Sequence, residues 1–290
     1  MSKLCRIGSE TLIDTLRKGE DFLARKGVPS PRLEAQLIFA HVLRLTRIEL
    51  FTQPDRPLIT DELAALREAL VLKGQGTPTA HILGSRDFYG RPFRVNRDVL
   101  IPRPETEELV ERLLARHKKL QHIVDLGAGS GCIGITLALE AAADYLTLVD
   151  VSAAALAIAA VNAADLLAET QTRYTLLEAD FTKGDLPISE AVDLVVSNPP
   201  YVLPEEFTGL DIAVKEFEPR LALIADDFAG LHRALATTAY ALLRPGGVFA
   251  LETHPGMVDH VCDWLRGQGF VSVEVCNDLA ARPHFIVAQR

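Results

Sequence analysis

Cysteine is scarce and scattered in this chain. The four present, Cys5, Cys132, Cys262 and Cys276, form no C-x-x-C pair, and the histidines do not cluster. Neither a disulfide framework nor a metal site is indicated, and a reducing, cytoplasmic setting is expected. Long apolar runs are missing too: none approaches the about 18 residues a membrane-spanning helix needs, so no membrane association is expected. The opening stretch MSKLCRIGSETLIDTLRKGED is interrupted by charges throughout, unlike a secretory signal or an anchor. No repeat, no low-complexity tract and no G-x-x-x-x-G-K-[ST] occurs, so a P-loop nucleotidase is unsupported. Positive charge is also short, with a net charge of −9. Proteins that hold bare DNA or RNA usually show a basic face, because phosphate neutralisation supplies much of the affinity. Direct nucleic-acid binding is therefore not expected, and a basic protein partner suits the chain better.

What is present describes an α/β protein with a helical preface. At 290 residues, 48% hydrophobic and 24% charged, the chain can build one large or two unequal domains. Leu12, Leu16 and Leu23, with Ile13 and Phe22, keep a helical stripe from Ser9 to the stop at Gly27. Ser30-Pro31 predicts a second helix start, a capping hydroxyl followed by proline, with an apolar face of Leu33, Leu37, Ile38, His41, Val42 and Leu45. A third helix is expected over Thr60–Leu72, capped by Thr60 and ended near Gly74. Residues 1–78 thus read as a small helical bundle without a catalytic motif, a candidate substrate-recognition domain. Arg86–Val95 alternates apolar and polar residues around Gly90, which predicts a β-hairpin and a linker over 79–100. Seven short apolar runs follow: Ile123–Leu126, Leu146–Val149, Tyr174–Leu177, Val192–Val196, Val248–Leu251, Val271–Val275 and Phe285–Ala288. Their alternation with helical stretches predicts a Rossmann-like, mostly parallel sheet over residues 101–290.

The segment Val124-Asp125-Leu126-Gly127-Ala128-Gly129-Ser130-Gly131 ends a strand and opens a helix. Glycines there let the backbone turn tightly and lie against a ligand facing the helix N–H groups. Nineteen residues past Gly131, Asp150 closes an apolar strand, where a carboxylate can accept both hydroxyl hydrogens of an adenosine ribose. The loop also satisfies G-x-G-x-x-G through Gly134, so an NAD-binding oxidoreductase is a rival on this evidence alone.

A second motif breaks the tie. After the strand Val192–Val196 comes Ser197-Asn198-Pro199-Pro200-Tyr201. Asn198 offers an acceptor and a donor on one carboxamide, and the following proline holds it extended. The Pro199 carbonyl has no N–H from Pro200 beside it, and Tyr201 adds a flat face. Together they predict a clamp that accepts both hydrogens of a planar –NH₂ and leaves its π face open. A carboxamide nitrogen is a poor nucleophile because its lone pair is delocalised. Accepting its hydrogens enriches it and aims it at an electrophilic methyl, so positioning and fixed dipoles do most of the catalysis. A dehydrogenase has no use for such a clamp. An exocyclic amine of a flipped nucleobase has the same shape, which keeps nucleic-acid methylation as an alternative. A catalytically idle cofactor-fold module is a third reading, disfavoured by the intact N-P-P-Y.

These motifs resemble the release factor glutamine methyltransferases, the HemK or PrmC family, over nearly the whole chain. The resemblance runs through Pro78-Thr79-Ala80-His81-Ile82-Leu83-Gly84 with Asp87-Phe88-Tyr89-Gly90, then Leu100-Ile101-Pro102-Arg103-Pro104-Glu105-Thr106-Glu107. Val149-Asp150-Val151-Ser152, Ala179-Asp180-Phe181, Asn198–Tyr201 and Phe217-Glu218-Pro219-Arg220-Leu221-Ala222-Leu223 follow in the family order. It implies a class I methyltransferase sheet and S-adenosylmethionine as cofactor, leaving S-adenosylhomocysteine as product, with no metal. Gly127, Ala128, Gly129, Ser130 and Gly131 would line its methionine part, Asp150 its ribose, and Asp180 with Phe181 its adenine. Asn198, Pro199, Pro200 and Tyr201 would bind the acceptor, with Asn198 also touching the cofactor. The acceptor implied is the glutamine of the Gly-Gly-Gln loop in class-1 peptide-chain release factors, taken up by a monomer. The chain departs from the family pattern at Thr253-His254-Pro255-Gly256-Met257, at Asp278-Leu279-Ala280-Ala281 and at His284, where an arginine is usual.

Other polar residues read more plainly. Arg103 could meet a carboxylate or phosphate, and Glu105 is expected to cap a helix over Thr106–Leu113. His117, His232, His254 and His260 are read as surface or packing residues, Cys132 as small apolar filler, and Glu205-Glu206 with Asp226-Asp227 as solvated charge.

Overall fold

A computed structural model describes residues 7–117, 119–184, 186–189 and 191–290. Cys5 and the rest of the first six residues lie outside these. The chain divides into two compact units. One is Met1–Gly84, described from residue 7, together with Asp211–Phe217; the other is Ser85–Leu210 with Glu218–Arg290.

The first unit is a helical bundle. It holds β1 (Ile7–Thr11), α1 (Leu12–Arg25), α2 (Pro31–Leu43), α3 (Glu49–Thr52), β2 (Pro57–Ile59), α4 (Thr60–Gly74) and α5 (Thr79–Leu83). Leu12, Leu16 and Leu23 of α1 are buried, as their spacing requires. The helix does not begin at Ser9, however. Residues 7–11 pair with β2, and Thr11 caps α1 by accepting the Asp14 N–H. The face of α2 also differs. Ala35, Ile38, Phe39 and Leu43 are buried, whereas Leu33 and His41 are exposed. That row meets both α1 and α4, and Phe39 packs where Gly19 of α1 leaves room for its ring. Two capping expectations fail. Ser30 is left-handed and its hydroxyl caps nothing, so Pro31 alone starts α2. Thr60 is already helical, and the helix entry is tied by Glu62, which accepts the Ile59 N–H.

The second unit opens with the hairpin β3 (Ser85–Phe88) and β4 (Arg91–Arg94), followed by α6 (Pro104–Arg116). It continues through β5 (His122–Leu126), α7 (Cys132–Ala141), β6 (Tyr145–Asp150), α8 (Ala153–Leu166), β7 (Arg173–Glu178) and β8 (Val192–Ser197). After α9 (Ile212–Phe217) in the other unit come α10 (Arg220–Leu223), α11 (Phe228–Leu242), β9 (Leu243–Glu252), α12 (Val258–Gln268), β10 (Val271–Asn277) and β11 (Pro283–Gln289).

The seven expected strands form one sheet in the order β10-β11-β9-β8-β5-β6-β7. Neighbours from β9 to β7 are parallel, and β11 runs antiparallel between β10 and β9. Strands β5 and β8 are fully buried, which is why they read as apolar on both faces, interrupted only by polar side chains such as Asp125 and Asp193. Because β5 pairs with both β6 and β8, the chain reverses its direction of winding there. In open α/β sheets that switch point is where ligands bind, outside the carboxyl ends of the strands. The glycine loop leaves β5 at this edge, and Asn198 follows β8.

Local contacts pin the surroundings. Asn162 of α8, 1% exposed, accepts the Arg94 N–H and donates to the Arg94 and Ser130 carbonyls, so one side chain ties the hairpin to the glycine loop. Helix α6 starts at Pro104, two residues earlier than expected, with Arg103 in the cap position and no capping side chain; Glu105 does not cap it. Asp226 and Asp227 are exposed, as expected, and both are also engaged: Asp227 caps α11 by accepting the Gly230 N–H, while Asp226 pairs with Arg220, and Glu206 pairs with His254.

Candidate active site

At the carboxyl edge of the sheet the second unit encloses a cavity of about 340 Å³. Gly127, Ala128, Gly129 and Ser130 line it from β5, Asp150 from β6, Asp180 and Phe181 from the end of β7, and Asn198 and Pro200 from β8. Gly131, Pro199 and Tyr201 do not line it. Gly131 turns the chain into α7 with φ +78°, and a Cβ there would come within 2.8 Å of Ile135 Cδ1. Pro199 is buried behind the loop.

The loop is built for close approach. Gly127 and Gly129 have φ values of +75° and +55°, with open space where side chains would stand. The Gly127 and Ala128 N–H groups bond to the Val149 carbonyl, which joins the loop to β6. Asp150 completes this frame. One carboxylate oxygen accepts the Gly129 N–H at 2.9 Å and the other the Ser152 N–H at 2.9 Å. Each oxygen keeps a lone pair, so the carboxylate is fixed in orientation and can still accept two hydroxyls.

Beneath the loop lies a group the sequence reading passed over. Asp125, 1% exposed, accepts the Gly134 N–H at 2.9 Å through Oδ2, and its Oδ1 has no partner among the described residues. Burial pushes its carboxyl up to about 7, although the Gly134 hydrogen bond pulls the other way. Gly134 must be glycine there, since a Cβ would stand 2.9 Å from that of Asp125. Farther along, the Thr182 hydroxyl and N–H with Lys183 hold Asp180 below the ordinary carboxylate range. Cys132 also lines the cavity, and burial pushes its thiol up to about 12. It is a protonated filler rather than a nucleophile.

The far wall is held by one ion pair. Glu218, 6% exposed, accepts the Ile101 N–H at 2.9 Å and the Arg103 guanidinium at 2.7 Å. Arg103 therefore meets a carboxylate of its own chain. This pair fastens Pro219, Leu221 and Ala222 against Pro102 and Arg103 around the cavity.

Asn198 lines the cavity wall after β8. Its Nδ2 lies 3.3 Å from Thr106 Oγ1, while Oδ1 is shielded from solvent and has no partner among the described residues. A buried carboxamide oxygen without a donor is costly unless a ligand supplies one. Tyr201 is placed otherwise than expected. Its ring packs edge-on against His284 and its hydroxyl donates to Glu252 at 2.9 Å, so it anchors the loop instead of facing the cavity. Burial, with the Glu252 charge behind it, raises the phenol well above its ordinary value, so the hydroxyl keeps its proton. His284, Glu252 and Thr106 were not identified as site residues from sequence. The signal was faint: a buried glutamate closing a strand and the threonine inside P-R-P-E-T-E.

The cavity fits S-adenosylmethionine. Backbone without side chains faces a slot, the pre-oriented Asp150 carboxylate can take a ribose diol, and Phe181 with Val151 offers apolar surface to an adenine. Asp150→Ala is expected to weaken that binding by about 1–3 kcal/mol through the lost hydrogen bonds. Titration calorimetry showing wild-type affinity in this variant would remove the ribose assignment. No group of three metal-ligating side chains comes together, and no helix is long and apolar enough to cross a membrane, among the described residues.

Comparison with known proteins identifies the family of both units. Residues 14–84 match the profile of the PrmC N-terminal domain, and residues 104–215 that of the methyltransferase small domain. The chain is 34% identical over 284 residues to the release factor glutamine methyltransferase of Leptospira interrogans serogroup Icterohaemorrhagiae serovar Lai (strain 56601), covering 97% of this chain and 99% of that one. It is 38% identical over 277 residues to the protein of the same name from Chlorobaculum tepidum, covering 92% and 93%. Among solved structures, a methyltransferase from Pyrococcus furiosus superposes with a TM-score of 0.51 at 13% identity, over 79% of this chain and 98% of that one. The hMettl16 catalytic domain in complex with the MAT2A 3'UTR hairpin 6 gives 0.51 at 14% identity, over 81% and 84%. At such identities these two show the fold alone. The relatives match almost end to end, across both the helical and the sheet units, and the chain belongs to the release factor glutamine methyltransferase family.

Proposed function

We propose that the protein transfers a methyl group from S-adenosylmethionine to the side-chain amide nitrogen of the glutamine in the Gly-Gly-Gln loop of class-1 release factors. The observation that carries this reading is the unpartnered, buried Asn198 Oδ1 on the wall of a cavity already framed for an adenosyl ligand. The bound cofactor supplies an electrophilic methyl on a sulfonium, with no metal. Residues of the chain do the rest. Gly127–Ser130 and Asp150 hold the cofactor's methionine and ribose, and Asp180 with Phe181 flank its adenine. Asn198 Oδ1 accepts one of the two amide hydrogens, which aims the nitrogen and enriches its lone pair. No strong base is required before transfer, because the proton can leave afterwards. The neighbourhood supports this: Cys132 stays a thiol and Tyr201 a phenol.

The test is transfer of a labelled methyl group to purified release factor, with DNA and RNA as competing acceptors. Label in the release factor alone supports the reading, whereas label in a nucleic acid supports the exocyclic-amine alternative. Affinity for NAD above that for S-adenosylmethionine would instead favour an oxidoreductase.

We assign recognition of the release factor to residues 1–78, an independent helical pattern without cavity residues, in a protein acting as a cytosolic monomer. A variant beginning near Thr79 is expected to bind S-adenosylmethionine yet methylate the intact release factor poorly. Full activity of that variant, once shown folded by circular dichroism, would place recognition elsewhere.

A further inference from the structure

Behind Asn198 a run of buried polar groups converges on one carboxylate. Glu252 closes β9 and is completely shielded from solvent. Thr106 Oγ1 donates to its Oε2 at 2.8 Å, the Tyr201 hydroxyl donates to Oε1 at 2.9 Å, and His284 Nε2 stands 3.2 Å from the same oxygen. An ionised carboxylate only accepts. The single proton of the Thr106 hydroxyl is therefore committed to Glu252, and toward Asn198 this hydroxyl can only accept. A carboxamide has one donor end and one acceptor end of nearly equal size. Its NH₂ end must then face Thr106, which leaves Oδ1 at the other end, unpartnered.

We propose that Glu252, acting through Thr106, is a positioning residue that fixes the flip of the Asn198 carboxamide and so presents Oδ1 as the acceptor for a substrate amide hydrogen. The inference rests on the reading of Asn198 as the amide clamp. Shape alone does not choose between the two flips, because nitrogen and oxygen differ little in size. Polarity chooses. In the wrong flip an NH₂ group would meet the substrate NH₂, donor against donor. The relay makes that flip unfavourable before substrate arrives, as catalytic preorganisation requires.

Glu252→Gln tests this, since it conserves shape and reverses one polarity. The Tyr201 hydroxyl donates, so it claims the new carbonyl oxygen, and the new NH₂ turns toward Thr106. Thr106 then accepts from Gln and gives its own proton to Asn198, which flips. We expect kcat to fall by about 100-fold or more, with S-adenosylmethionine affinity and melting temperature retained. Thr106→Val removes the relay without reversing it and is expected to cost about tenfold; Thr106→Ser restores most of the loss. Added to Thr106→Val, Glu252→Gln should cost nothing further, because the two act through one path. By NMR, a proximity contact from the Asn198 NH₂ to the Thr106 methyl is expected in the wild type and absent in Glu252→Gln. Wild-type turnover of Glu252→Gln, or losses that multiply in the double variant, would overturn the relay while leaving the clamp intact. Near-normal turnover of Asn198→Ala would sink the clamp itself and the relay with it.

Discussion

Asn198→Ala is expected to lower methyl transfer by about 100-fold or more while cofactor affinity changes little. The reason is a division of labour in the cavity. The groups proposed to face the cofactor are spread along the cavity over the glycine loop, Asp150, Asp180 and Phe181, whereas the proposed acceptor site is one short loop after β8. Alanine deletes the buried acceptor Oδ1 and leaves a bound amide free to rotate, and loss of a positioned group commonly costs this much. Asn198→Asp is expected to fail as well, for a reason visible only in the structure. The Thr106 hydroxyl already donates its hydrogen bond to Glu252, so an aspartate oxygen would face the Thr106 lone pairs with no donor between them. Its charge would also stand close to a buried carboxylate. Affinity is measured by calorimetry and turnover at saturating cofactor and release factor. Near-normal turnover of Asn198→Ala under those conditions would end the amide-clamp mechanism.

Glu218→Ala is expected to act through stability. This side chain is 1% exposed and holds both the Ile101 N–H and the Arg103 guanidinium. Its removal leaves a buried N–H unpaired and a cation without its partner. Breaking such a pair by deleting one member costs about 3–5 kcal/mol when both ions are buried. Arg103, 27% exposed, can turn partly toward water, which lowers the expectation to about 2–4 kcal/mol. The cavity wall at Pro219–Ala222 loses its fastening, so cofactor affinity should fall with stability. Glu218→Gln keeps an acceptor for Ile101 and should be milder. An unchanged melting temperature in Glu218→Ala would show that the ion pair does not hold the wall.

Much of the scaffold was legible because its signals are local. The seven strands stand out as short, mostly apolar runs, and in the fully buried β5 and β8 only a single aspartate, Asp125 or Asp193, interrupts the run. The glycine loop and the carboxylate of Asp150 announce themselves by spacing, and both line the cavity. Errors arose where a residue answers to something distant. The expected face of α2 holds at Ile38, Val42 and Leu45 but not at Leu33 and His41, because the helix meets two partners and also buries Ala35 and Phe39. Thr106 and Glu252 lie 146 positions apart, and no pattern along the chain brings them to 2.8 Å. Tyr201 was assigned by its flat face, whereas its hydroxyl decides its place by reaching Glu252. The same holds for Glu218, whose partners lie more than a hundred positions earlier. Side chains that line the cavity were easier to identify than those that orient them.

Locating the transferred methyl group tests the central claim most directly. Release factor incubated with the protein and labelled S-adenosylmethionine is digested and its peptides are sequenced by mass spectrometry. One methyl group on the side-chain nitrogen of the Gly-Gly-Gln glutamine, absent when that glutamine is replaced, is the predicted result. A methyl group on any other atom of the release factor, or none in the release factor at all, would contradict the account.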